Sequence, residues 1–158
     1  MTIELDGQQV ESLGRAALTA ALVSDGLEVA RPERDSGIDL LVYDYRVTPW
    51  HVMPIQMKAA TGAVFSVDQK YEPIDRAIPG GLVMVYVWNA RSAETVEFYA
   101  MSWREAANKA AELGWTRTKS WEKGAYGTTR PSVRVRNAIE GYRMEPGKWR
   151  DLLDRVAE

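Results

Sequence analysis

The chain has 158 residues, enough for one domain that buries a core without a metal or disulfide staple. It has no cysteine, which excludes a disulfide framework, a cysteine nucleophile and a thiolate zinc site, and its one histidine, His51, excludes histidine-rich metal sites. The net charge of −2 argues against a uniformly basic nucleic-acid binder, yet the charge is segregated: residues 1–103 carry 8 Lys/Arg and 14 Asp/Glu, residues 104–150 carry 11 and 5, and the last eight carry 1 and 3.

No apolar run approaches the roughly 18 residues of a membrane span, and no basic segment leads into an apolar stretch at the N-terminus. A soluble, cytoplasmic protein with no membrane partner is expected. Residues 1–7 read as a short lead-in. Over residues 8–25, Val10, Leu13, Ala17, Leu18, Ala21 and Leu22 recur three and four apart, which predicts a helix with one buried stripe, ended by Gly26. Glu11 lies one turn before Arg15, so its plain reading is a weak surface ion pair.

Residues 27–30 read as a first strand and 31–36 as a polar turn around Pro32. Ile38, Leu40 and Val42 then alternate with Asp39, Leu41 and Tyr43, and a second β-rich run covers residues 51–58, so the two runs are neighbouring strands of a hairpin. His51, at the start of the second, is read as structural. Side chains two apart on a strand share a face, so Gln56 and Lys58 project together while Met57 points away, and Asp39 can face the same cluster. An acid, an amide and an amine within apolar runs are costly unless they pair with one another or hold a metal. The alternative is that Asp39 caps a turn and Lys58 ends a strand at its solvated rim.

Residues 63–67 suggest a short extended piece. Residues 68–81, with Pro73, Pro79 and the Gly80-Gly81 pair, read mostly as loop with room for a helical turn. Gln69, Lys70 and Tyr71 in that loop are placed to touch a phosphate or a base, the alternative being a solvated loop. Residues 82–88 form a continuous apolar run, a strand covered on both faces, and residues 95–101 alternate as another. Ser102 and Glu105 fit a capping box for a helix to about Leu113, stopped by Gly114.

From residue 115 to 139, Lys119, Lys123, Arg130, Arg134 and Arg136 are interleaved with Trp115, Trp121 and Tyr126. Val133, Val135 and Ala138 hint at a strand or irregular edge that would put Arg134 and Arg136 on one face. Such cations can neutralise phosphates while the aromatics stack on unpaired bases. The competing reading is a solvated face whose tryptophans pack inward. Pro146 opens a last helix to about Val156, with Trp149, Leu152, Leu153 and Val156 at helical spacing.

An Asp at the start of one strand followed by Gln-x-Lys in the next resembles the signature of the PD-(D/E)XK nuclease superfamily, in the Gln-x-Lys variant of Mrr-type restriction endonucleases. That superfamily places a helix bearing a Glu before the first core strand, where Glu11 stands here. The order of helix, strand, strand, strand, helix, strand over about residues 8–113 is similar to its core. Two departures stand out: Gln56 occupies the place of a usual acid, and no proline directly precedes Asp39.

The resemblance implies a single α/β domain of restriction endonuclease-like type over residues 1–158: a central mixed β-sheet flanked by helices in αβββαβ order, with a basic, aromatic-rich extension from about residue 115. It implies a metal-dependent endonuclease that hydrolyses phosphodiester bonds, with DNA as the favoured partner and a homodimer compatible with it. Asp39, Gln56 and Glu11 would hold Mg²⁺ or Mn²⁺, and Lys58 would position or help deprotonate the attacking water. An amide at position 56 removes one negative charge from the metal shell, so a second expectation is a weakly active or inactive member of the same fold that binds nucleic acid or protein. The third is an unrelated α/β protein in which these residues are structural.

Overall fold

The computed structural model describes residues 1–158. Helix α1 (Gly7–Ser24) leads into an antiparallel meander of β1 (Glu28–Ala30), β2 (Leu40–Asp44) and β3 (His51–Ala59). The next strand of that sheet lies parallel to β3, and a parallel neighbour requires a crossover. Strand β4 (Phe65–Asp68), a 3₁₀ turn (Gln69–Tyr71) and α2 (Glu72–Ala77) provide it before β5 (Val83–Trp88) and the antiparallel edge strand β6 (Glu97–Ser102). The result is a mixed sheet in the order β1-β2-β3-β5-β6.

Helix α3 (Trp103–Glu112) follows β6, and the rest of the chain adds α4 (Lys119–Glu122), β7 (Ala125–Thr128), α5 (Val133–Ile139) and α6 (Lys148–Ala157). Strand β4 leaves the main sheet and pairs with β7 in a separate two-stranded sheet. The extended piece near residues 63–67 is thus real, but its partner lies in a stretch where no regular pattern is legible.

Two apolar layers sandwich the main sheet. On one face Leu18 and Leu22 of α1 and Trp149 and Leu153 of α6 pack on Val42, Ile55 and Val85. On the other, Phe65, Tyr71, Trp103, Trp115 and Ile139 pack on Met84 and Tyr86. Every residue of β5 is buried, as its uninterrupted apolar sequence requires of a strand covered on both sides.

Helix ends follow their caps. Asp6 and Gln9 form a capping box that starts α1 at Gly7, and Ser102 and Glu105 form the expected one at α3. Helix α6 starts later than Pro146 suggests, at Lys148. Its free amides at Gly147 and Trp149 donate to the carboxylate of Asp25, the residue that closes α1.

The expected strand through Val133 and Val135 is a correction: residues 133–139 form helix α5. The Ser132 hydroxyl accepts from the amide of Val135 and opens the helix, and Val135 and Ile139, four apart, are its buried residues. Positions two apart on a helix diverge by about 200°, so Arg134 and Arg136 do not share a face. His51 is anchored structurally, with Nδ1 2.9 Å from Asp154 Oδ1 on α6. No helix is long and apolar enough to cross a membrane.

Candidate active site

Helix α1 lies directly on the end of β3. A Cβ built on Gly14 would stand 2.6 Å from the Ala59 Cβ, so only glycine permits this approach. One turn earlier, Glu11 is carried to the same end of the sheet. Strand β2 begins opposite: the amide of Asp39 donates to Ile55 O at 2.8 Å, and the amide of Met57 donates to Asp39 Oδ2 at 2.7 Å. The carboxylate thus takes over where backbone pairing between the two strands stops.

Gln56 and Lys58 alternate with Met57 along β3 and lie on the face that carries Met84 and Tyr86. Gly37, with φ +86°, turns the chain into β2, and a Cβ there would run into Ile74 and stand 3.5 Å from the Tyr71 ring. The turn is therefore pressed against the crossover. Between these elements opens a cleft of about 480 Å³ lined by Glu11, Asp35, Asp39, Gln56, Lys58, Lys70 and Tyr71, among others.

Burial pushes the Asp39 carboxyl above its ordinary value; the Met57 amide and Arg15 pull it down, while Glu11 and Asp35 push it further up. Glu11 is half exposed and ion-paired with Arg15, as its spacing implies, so it sits at the cleft with a cation already beside it. Lys58 Nζ donates to the Tyr71 hydroxyl at 3.2 Å. Lys70 stands over the same ring, its amine pushed up first by the Tyr71 oxygen and then by Asp68.

Gln56 is 6 % exposed. Its amide nitrogen donates to Met57 O at 3.2 Å, which fixes the orientation of the group and leaves Oε1 buried with no hydrogen-bond partner. A buried acceptor left unpaired costs about 1–3 kcal/mol. The atom has almost no accessible surface, so it meets a ligand in the neighbouring cleft only when the Gln56 side chain turns outward.

No group of three or more His, Cys, Asp or Glu side chains is arranged to hold a metal unaided. The available donors are all oxygen, however: the Asp39 carboxylate, Gln56 Oε1 and, once released from Arg15, Glu11. Mg²⁺ and Mn²⁺ favour such ligands, and Mg²⁺ commonly keeps several waters and completes its shell with substrate phosphate. An ion here would be held by few protein atoms, the Asp39 carboxylate first among them.

The basic tract is arranged differently from its reading as a stacking platform. Trp115 is buried, and Trp121 and Tyr126 pack against the same core. Arg134 donates to Glu112 O at the end of α3, while Arg136 lies 5.1 Å from the Trp88 ring centroid. Lys119, Lys123 and Arg130 are exposed, and none of the five lines the cleft. Gln69 holds Trp121 O and Gly124 O, whereas its neighbours Lys70 and Tyr71 reach the cleft. Asp35 and Arg15 were not legible as site residues, because their placement depends on how the turn at Gly37 and helix α1 fold over the sheet.

No family model matches the chain, and no curated protein or solved structure matches it either.

Proposed function

We propose that this protein is a metal-dependent nuclease of restriction endonuclease-like type, which hydrolyses phosphodiester bonds in nucleic acid, DNA being the favoured substrate. The observation that carries the reading is the cleft itself, which brings Asp39, Gln56 and Lys58 to one wall with Glu11 beside them. The element order lends support too: a helix, a three-stranded meander and a short helix before a parallel strand resemble the expected αβββαβ order, with β4 added in the crossover.

In this reading Asp39 and Gln56 hold Mg²⁺ or Mn²⁺, with Glu11 joining directly or through water. The ion, when bound, supplies polarisation of the phosphoryl oxygen and offsets charge on the leaving oxygen. Lys58 presents its ammonium to the phosphate and orients the attacking water, while the Tyr71 hydroxyl fixes where that amine stands. The apolar layers beneath keep the cleft floor rigid.

The ion pair between Glu11 and Arg15 favours a second reading, a catalytically silent binding module of the same fold, since it neutralises one of the two carboxylates expected at the metal. Calorimetric titration of Mn²⁺ into the protein and into Asp39→Ala, followed by plasmid nicking on the same samples, separates the two. Saturable binding and nicking that both vanish in the variant support the nuclease. Absence of Mn²⁺ binding at millimolar concentration removes it.

A further inference from the structure

The cleft holds two ammonium groups around one aromatic ring. Lys58 Nζ lies 5.4 Å and Lys70 Nζ 5.0 Å from the Tyr71 ring centroid, and both residues line the cleft. The ring is a fixed post: Tyr71 is 4 % exposed and packed against Gly37. Its turn is tied down as well, since Asp68 accepts from the Lys70 amide at 2.9 Å and from Trp103 Nε1, through its carbonyl, at 3.1 Å.

The Tyr71 ring attracts both ammonium groups, which offsets part of the repulsion between them and gathers two positive charges at one post. Asp68, 3.5 Å from Lys70 Nζ, compensates one of them only in part, because the Lys70 side chain is 63 % exposed and screened by water. Lys58 donates to the Tyr71 hydroxyl and so is held in place, whereas Lys70 extends from the rim and can follow a ligand. One cation held at Tyr71 and one exposed at the rim offer two separate contacts for a phosphate-bearing chain, beside the carboxylates of Glu11, Asp35 and Asp39.

We propose that Lys70 neutralises the phosphate adjacent to the one engaged by Lys58, so that the cleft takes two successive phosphates of one strand. The assignment of Lys58 to the reacting phosphate rests on the nuclease reading above; the two-phosphate site does not require cleavage. Each phosphate neutralised in duplex DNA contributes about −0.9 to the slope of log K against log [salt], so the number of phosphates engaged can be counted.

The test is binding of a fluorescent duplex oligonucleotide in EDTA across a salt series, for the full chain and for Lys58→Ala, Lys70→Ala, Lys70→Arg and the double alanine variant. Each single alanine variant is expected to flatten the slope by about 0.9 and the double by about 1.8, with Lys70→Arg keeping the native slope. A double variant no flatter than the singles would mean one shared phosphate and overturn the proposal, as would an unchanged slope in Lys70→Ala or no binding by the native chain. Plasmid nicking with Mn²⁺ on the same preparations tests the nuclease separately: additive slopes without nicking leave the two-phosphate site standing and remove the catalytic reading.

Discussion

The amide of Met57 donates to the carboxylate of Asp39 across the β2–β3 hairpin at 2.7 Å, which makes one acid both the end of a strand ladder and the wall of the cleft. Its carboxyl is held above the ordinary value of 3.8, chiefly by burial. A raised native value means that the folded chain keeps this proton to higher pH than the unfolded chain does. The stability it contributes is therefore complete below pH 3.8 and fades as pH rises through the native value. Asp39→Asn in EDTA should raise Tm at pH 7, change little at pH 3.5, and abolish Mn²⁺ binding. A variant that still binds Mn²⁺ normally would show that Asp39 is structural.

Gln56 gives a sharper separation of stability from function. Gln56→Met conserves volume and removes the unpaired oxygen, so it should stabilise the metal-free protein by about 1 kcal/mol and eliminate nicking. Gln56→Glu should do the reverse, lowering Tm in EDTA by placing a second buried carboxylate near Asp39 while binding Mn²⁺ more tightly than the native chain. Thermal melts with and without Mn²⁺ read both effects.

Glu11→Gln separates an ion pair from a ligand. Glu11 has a side chain 52 % exposed, so losing its contact with Arg15 should cost less than about 0.5 kcal/mol. Nicking should nonetheless fall by about 10-fold or more if the carboxylate serves the ion. Unchanged nicking would confine Glu11 to its helix.

At the far end of β2, Asp44 accepts from Arg46 and Arg150, and these contacts hold its carboxyl well below the usual carboxylate range. A depressed native value contributes stability that is present above the unfolded value of 3.8 and is lost as pH falls toward the native one. Acid denaturation curves should therefore steepen below pH 3.8 in the native chain and flatten in Asp44→Asn, which should also melt at lower temperature at pH 7.

Gly14→Ala should destabilise the fold by about 1–3 kcal/mol, because its methyl would meet Ala59 at 2.6 Å and push α1 away from β3. Since Lys58 immediately precedes Ala59, nicking should fall with the melting temperature. Full nicking at unchanged Tm would show that the helix and strand tolerate the added methyl.

The parts read correctly from sequence are those fixed by neighbours in the chain. The helix from Gly7 to Ser24, the capping box of Ser102 and Glu105, and the unbroken run of β5 each carry their cause within a few residues, although Leu13, expected on the buried stripe of that helix, is exposed and the stripe runs through Leu18 and Leu22. Period-two alternation likewise places Gln56 and Lys58 together. The errors arise where distant partners decide. Val-Arg-Val-Arg mimics a strand, yet Ser132 and the four-residue step from Val135 to Ile139 make it a helix, and Trp115 turns inward because β4 and β7 build a wall over it. Ser36-Gly37 announces the turn before β2, but that the turn presses against Ile74 and Tyr71 and so carries Asp35 to the cleft depends on the distant crossover.

Asp25 closes α1 and caps α6 from a distance of more than 120 residues, so the two ends of the fold share one carboxylate. During synthesis, the amides at Gly147 and Trp149 emerge long after α1 has left the ribosome, and Trp149 and Leu153 complete the apolar layer beneath it. A nascent chain can pair β2 with β3 early, but the helix that carries Glu11 gains its full support only once residues 147–153 are made. The cleft is therefore among the last features of the molecule to become rigid, and a ribosome-stalled fragment ending before residue 147 should leave α1 open to protease.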